Sequence, residues 1–187
     1  MGRVLLHASV SLDGFFEGPD ADISWHRIDA ELHQHVNDEL RSVATYLEGR
    51  RSYELMQAYW PTADLEPDAE PEIRDYARLW RTTPKVVASR TLSAVGEGDT
   101  LVRDVDAQLV RSLAERGDVA VGGADLAAQV LALGLVDLLR IYVHPVLIGG
   151  GRPLFAPGAR HDLGLERSQT FGNGVVLLQY AVLPSTA

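Results

Sequence analysis

The chain has 187 residues, 46% of them hydrophobic and 23% charged, the balance of one globular domain with a full core. Its 17 Lys and Arg against 26 Asp and Glu give a formal charge of -9, which argues against a general affinity for nucleic acid or anionic membranes. Cysteine is absent, which excludes disulfides, thiolate metal sites and a cysteine nucleophile. The opening Met1-Gly2-Arg3-Val4-Leu5-Leu6-His7 lacks a signal-peptide layout, and no apolar run is long enough for a membrane span, so a cytoplasmic location is expected.

Arg3 to Val10 reads as a buried first strand, followed by a Gly-, Pro- and Asp-containing loop from Ser11 to Ser24. Ile28, Leu32, Val36 and Leu40 recur every fourth residue and predict a helix over 28–43. Ala44 to Leu47 is a short strand and Ser52 to Tyr59 a short helix; the acid- and proline-rich stretch from Pro61 to Pro71 reads as a solvated excursion. A helix follows over 72–80, and Pro84 introduces the strand Lys85 to Ala88. Leu101-Val102 is a small strand, with Asp104 expected to cap a helix over 107–115 that Gly117 ends. The pattern repeats with a strand at Val119 to Val121 and a helix over 126–133 stopped by Gly134. Leu138 to Val146 and Asn173 to Leu183 are long apolar strands. This alternation predicts an α/β sheet covered on both faces. The last two strands lack a clear connecting helix, which predicts a mixed sheet with an antiparallel edge.

The most informative segment is Val119-Ala120-Val121-Gly122-Gly123-Ala124-Asp125-Leu126, a strand that passes through two glycines into a helix. Without side chains at the turn, a ligand's phosphates can approach backbone N–H groups at the positive end of the helix. Gly-Gly also closes strands for purely conformational reasons, so the position of its neighbours matters. Gly49-Arg50-Arg51-Ser52 follows another strand and opens another helix, which Ser52 is expected to cap; Ser89-Arg90-Thr91 follows a third. Three sheet ends thus carry phosphate-compatible residues where open α/β sheets bind ligands. Neither Gly-x-Gly-x-x-Gly nor a P-loop ending is present; Gly149-Gly150-Gly151-Arg152 reads as a tight turn. The six histidines show no metal-binding spacing, and His7 and His144 read as buried, hydrogen-bonded structural groups. In the first loop, Asp13 is either a turn residue or a holder of a polar substrate group, with Phe15 and Trp25 as apolar walls and Asp29 as a second carboxylate.

An ordered series of segments then carries a resemblance. It runs through Ser11-Leu12-Asp13-Gly14, Gly49-Arg50-Arg51-Ser52-Tyr53-Glu54 with Tyr59-Trp60-Pro61, and Lys85-Val86-Val87-Ala88-Ser89-Arg90-Thr91-Leu92. Gly122-Gly123-Ala124, the run from Gly134 to Val146, Gly149 to Phe155 and Gly172 to Val176 complete it. The chain resembles the reductase domain family that shares the dihydrofolate reductase fold and includes the reductase half of the riboflavin-pathway deaminase-reductase. The resemblance covers nearly the whole sequence, 1–187, as one domain. It implies a three-layer αβα fold around a mixed, mainly parallel sheet, NADPH across the strand ends, and a homodimer. By similarity, Gly49, Arg50, Arg51, Ser52, Ser89, Arg90 and Thr91 lie at the adenosine and phosphate end of the cofactor. Gly122, Gly123, Ala124 and Asp125 lie beside its diphosphate, and Asp13 and Trp25 where nicotinamide and substrate meet. Leu138 and Val121 replace a Glu and a His that members often carry, and no deaminase zinc motif is present, so a stand-alone reductase of unassigned substrate is expected.

The chemistry so implied is hydride transfer to a C=N or C=O carbon of a small heterocyclic or phosphoribosyl substrate, with Asp13 or Asp29 donating or relaying the proton. A flavin in place of nicotinamide, and a ligand-sensing domain without turnover, are the alternatives.

Overall fold

The structure, a computed structural model, describes residues 1–155, 157–158 and 160–184. An eight-stranded sheet is built from β1 (Val4–Ser11), β3 (Val43–Gly49), β4 (Lys85–Ala88), β5 (Thr100–Val102), β6 (Asp118–Gly122), β7 (Leu138–His144), β9 (Leu163–Thr170) and β10 (Val176–Val182). Their order is β5-β4-β3-β6-β1-β7-β10-β9. The first five pairings are parallel and the last two antiparallel. A separate two-stranded ribbon pairs β2 (Phe15–Glu17) with β8 (Arg152–Pro153).

β1 lies between two parallel neighbours and is buried over most of its length, with His7 and Ser9 interrupting its apolar residues. Its side chains divide between two cores. Val4, Leu6, Ala8 and Val10 join Val110 and Leu113 of α4 (Ala107–Ala114) and Leu126 and Val130 of α5 (Ala124–Ala132). Leu5 turns to the other core, with Leu40 of α1 (Ala30–Leu40), Tyr53 of α2 (Arg50–Tyr59), and Tyr76 and Trp80 of α3 (Pro71–Thr82). The result is the three-layer α/β arrangement with helices on both faces of a mixed, mainly parallel sheet.

Local chemistry sets the boundaries. The α1 helix starts at Ala30 rather than Ile28, because the Asp29 side chain accepts the Leu32 N–H (2.9 Å) as the N-cap. α3 buries Tyr76, Ala77, Leu79 and Trp80 as one stripe and stops before Pro84, which disfavours helical geometry at Thr83. The expected cap at Asp104 is corrected: Asp106, directly before the helix, accepts the Leu109 N–H (2.8 Å), while Asp104 pairs with Arg90. β7 ends at His144, before Pro145. β10 begins only at Val176, because Gly172 to Val175 form its entry turn, with Gly174 at φ +86° and Asn173 Oδ1 accepting the Val175 N–H.

The Pro61–Pro71 excursion is more structured than expected. Arg74 donates to the Asp64, Pro67 and Ala69 carbonyls, and Arg81 forks onto the Asp64 carboxylate. The edge strand β9 and the short β2 and β8 were not expected from the sequence. β9 is largely exposed on both faces and carries Gly, Glu, Arg, Ser and Gln, so it lacks the apolar alternation that marks a strand.

Candidate active site

The parallel strands bring their C-terminal ends to one rim. Ala88 pairs with Val102 and with Gly49, and Glu48 pairs with Gly122, so the β5, β4, β3 and β6 ends follow one another. The Gly49 and Gly123 backbones lie close together: a Cβ on Gly123 would be 3.8 Å from Gly49 Cα and 3.6 Å from Ser52 Cβ. These two glycines are the N-caps of α2 and α5, and neither cap supplies a side-chain hydrogen bond. Two positive helix ends with uncapped amides therefore converge at one point of the rim. Gly123 has φ +94°, a conformation that L side chains rarely adopt, which explains glycine there. Ser52 is not the α2 cap that the sequence suggested. It lies inside the first turn, facing Gly123.

Next along the rim is a cleft of about 280 Å³ lined by Ser89, Arg90, Arg103, Asp104 and Gln129. Ser89 Oγ accepts the Thr91 and Leu92 N–H groups, shaping the turn after β4. Arg90 is exposed and paired with Asp104; Arg103 is fixed by the Ser89 and Leu92 carbonyls (2.8 and 2.6 Å). Arg103 was missed in the sequence, although it follows β5 just as Arg90 follows β4. Arg50 pairs with Glu54 one turn on, Arg51 is exposed, and Asp125 pairs with Arg152 rather than facing the rim alone. Ala124 is buried in the first turn of α5.

A second missed residue is Glu48. It is 7% exposed, and its side chain lies across Gly122, where an added Cβ would come within 2.2 Å of Oε2. Burial pushes its carboxyl up to about 7, against the opposing pull of the Ser52 hydroxyl and Lys85. An acid directly before Gly49, in a strand otherwise buried, was the available signal.

The first loop lies at the other end of the rim. Asp13 accepts the Gly149 N–H (2.8 Å) and the Ile148 N–H (3.3 Å), tying this loop to the triple-glycine turn. The Ser11 hydroxyl and those two N–H groups hold its carboxyl below the usual carboxylate range, so it is ionised at neutral pH. Asp29 serves as the α1 cap. Asp13, one of the two acids expected to donate or relay the proton, is therefore held ionised. Phe15 is half-buried in β2 opposite Pro153, and Trp25 is half-buried at the end of the loop.

Trp25 packs edge-on to His26 and His144 (ring centroids 4.3 and 5.6 Å), and the two imidazoles stack at 5.0 Å. His144 is fully buried, and its Nδ1 accepts the Arg27 N–H (2.9 Å), which leaves Nε2 to carry the ring proton. Burial lowers both rings to about 4, so they are neutral at pH 7. His144 is thus the buried histidine expected, but only one of its nitrogens has a partner among the described residues. His7 Nδ1 and His26 Nε2 have none. A separate apolar cavity of about 270 Å³, lined by Leu6, Ala127, Leu131 and Leu154, lies on the α5 side of the sheet, away from these groups.

Residues 3–177 match the family described as RibD C-terminal domain. The chain belongs to that family. It is 33% identical over 182 residues to the uncharacterized protein YyaP of Bacillus subtilis, covering 95% of this chain and 94% of the relative. Among solved structures, it superposes on a pyrimidine reductase-like protein of Corynebacterium diphtheriae with a TM-score of 0.67 and 14% identity, covering 98% and 93% of the two chains. It also superposes on the diaminohydroxyphosphoribosylaminopyrimidine deaminase/5-amino-6-(5-phosphoribosylamino)uracil reductase of Thermotoga maritima. There the TM-score is 0.67 and the identity 16%, with 97% of this chain matching 57% of that one. At these identities the structures establish the shared fold, that of the RibD reductase domain. Among the described residues no helix is long and apolar enough to cross a membrane.

Proposed function

We propose that the protein is an NADPH-dependent reductase that delivers hydride to a C=N or C=O carbon of a small heterocyclic or phosphoribosyl substrate. The observation that carries this reading is the convergence of two uncapped helix N-termini at Gly49 and Gly123, flanked by the Arg90–Arg103 cleft. Backbone amides and a helix end suit a diphosphate, and guanidinium groups suit a further phosphate, so the residues present fit the cofactor. When bound, NADPH supplies the hydride. Gly49, Ser52, Gly122, Gly123 and Ala124 would hold its diphosphate, and Arg90 and Arg103, with Arg50, Arg51, Ser89 and Thr91 nearby, its phosphorylated adenosine end.

Asp13 organises the mouth of the acceptor site through Gly149, and Asp29 fixes the start of α1. Phe15 and Trp25 supply apolar walls. In this reading the ionised Asp13 is a polar contact for the substrate, and Asp29 is the acid that would donate or relay the proton. The neutral His26 ring, packed with Trp25 and His144 at the end of the first loop, is a further polar group of this region. The relatives' names support a pyrimidine-type acceptor, as in the reductase of Thermotoga maritima.

We further propose a homodimer formed through the β9–β10 side of the sheet. Leu163 pairs with Val182 and Leu165 with Tyr180, while Leu163, Leu165 and Leu183 are 40%, 59% and 44% exposed. That is more apolar surface than an edge strand usually leaves in water.

The deciding experiment measures NADPH binding by calorimetry, then follows loss of dihydronicotinamide absorbance with pyrimidine and pterin acceptors. Binding with turnover of one acceptor is expected. Failure to bind NADPH overturns the reductase reading, whereas binding without turnover of any acceptor favours a sensing domain.

A further inference from the structure

Glu48 is at odds with an anion site, and the conflict is informative. It occupies the last rung of β3 paired with Gly122 of β6, beneath the helix ends at Gly49 and Gly123. Its Oε2 is buried with no hydrogen-bond partner among the described residues, directly against the Gly122 backbone. Among those residues no cation compensates it at ion-pair distance. Lys85, on the neighbouring strand, donates to the Trp80 and Thr83 carbonyls (2.6 and 3.0 Å) and pairs with Asp99 at 3.4 Å. Tyr46 on the same strand and Tyr76 of α3 feel the same carboxyl, and burial raises both phenols. α2 presents the Ser52 hydroxyl, while Arg50 is paired with Glu54 and Asp125 of α5 with Arg152. An ionised carboxylate here would be an unpaired buried charge beside the place where a second anion must bind.

We propose that Glu48 is part of the cofactor site and accepts a diphosphate only as the neutral carboxylic acid, so that cofactor capture is coupled to uptake of one proton at this residue. The proton comes from solvent and adds to the carboxylate; no other bond changes. The inference rests on the NADPH reading above. Burial, outweighing the Ser52 hydroxyl and the charge of Lys85, brings the free carboxyl to about 7, so near neutrality the unliganded protein is a mixture of the two forms. A bound diphosphate adds negative charge alongside and raises the carboxyl further. Between the free and bound values, each NADPH bound takes up close to one proton, and affinity falls about tenfold per pH unit. The free oxygen of the acid also becomes a donor, giving the phosphate a hydrogen bond where the carboxylate would repel it.

The test compares the wild type with Glu48→Gln, which keeps the shape and a donor but cannot ionise. NADPH affinity is measured from about pH 6 to about pH 9, with proton uptake counted by calorimetry in two buffers of different ionisation enthalpy. The cofactor's own phosphate monoester titrates near pH 6, equally in both proteins, so the difference between them isolates Glu48. A steep fall in wild-type affinity above neutrality, a flatter profile for Glu48→Gln and extra proton uptake by the wild type support the proposal. Parallel profiles with equal proton counts overturn it and leave the NADPH reading standing. No NADPH binding by either protein at any pH overturns both. If Glu48→Gln does not fold, the wild type alone decides through infrared difference spectra near pH 8 with isotope-labelled glutamate. A labelled carboxylic-acid carbonyl band that grows on adding NADPH supports proton uptake, and its absence overturns it.

Discussion

Without any ligand, Glu48→Gln should make the protein more stable in alkali relative to the wild type. The buried carboxyl is raised from 4.5 to about 7, so between those values the folded state holds a proton that the unfolded state has released. Stability from this group is therefore fully present below about pH 4.5 and is lost as pH rises through about 7. The span corresponds to about 3 kcal/mol at about 1.4 kcal/mol per pH unit. For a chain of this size that is roughly 6–12 °C in melting temperature. The substituted amide has the same packing and hydrogen bonds at every pH, and the histidines titrate alike in both proteins. The quantity to read is thus the change with pH in the stability difference, from urea unfolding at about pH 5 and about pH 8. Between those two pH values about 1.8 pH units of the span are crossed, so it should favour the variant by about 2.5 kcal/mol more at the higher pH. A difference that stays constant across this range would refute a buried, unpaired carboxyl at this position.

NADPH should bind at least about tenfold more tightly than NADH, because the Arg90–Arg103 cleft offers guanidinium groups to the extra phosphate. Calorimetry on Arg90→Ala and Arg103→Ala checks this, and the preference should shrink in both. Gly122→Ala should cost about 1–3 kcal/mol of stability, since its Cβ would displace the Glu48 carboxyl. In a Glu48→Ala background most of that cost should vanish, a coupling that denaturant unfolding of the four proteins measures. Light scattering at micromolar concentration should report twice the 20.4 kDa chain mass, and Leu165→Glu should return it to one chain. His7, His26 and His144 are each lowered from 6.5 to about 4 by burial, so here the unfolded state binds the extra protons. Stability present above pH 6.5 should fall away as the pH drops toward 4, and melting temperatures across that range will show it.

The glycine turns and arginines of the sheet rim were legible in sequence because their geometry is local. Gly49 and Gly123 stand where a strand turns into a helix, and Ser89-Arg90 where a strand ends, so a linear reading finds each one. It could not tell that Arg90 is shared with Asp104, or that Arg103 completes the cleft. Those facts depend on β4 and β5 ending side by side. The cap was read at Asp104, whereas the first turn of α4 is capped by Asp106, which lies directly before it. β9 was invisible for a related reason: an edge strand buries too little to need an apolar pattern.

The surroundings of the first loop were hidden more deeply, because their groups come from distant segments that only the sheet unites. His144 was read as a satisfied core residue. Yet its Nδ1 partner is the backbone of Arg27, more than a hundred residues away, and that bond assigns the ring proton to Nε2. Asp13 was singled out as an acid, but the N–H groups that stabilise its charge belong to the turn after β7. A carboxylate so held is a fixed negative charge, not a proton source, and it keeps the first loop joined to the triple-glycine turn. Glu48 is the opposite case, a carboxyl that burial raises to about 7 because Ser52 and the more distant Lys85 only partly offset the loss of solvent. The two acids thus differ in kind: Asp13 holds the first loop with its charge, whereas Glu48 is the one whose charge burial disfavours.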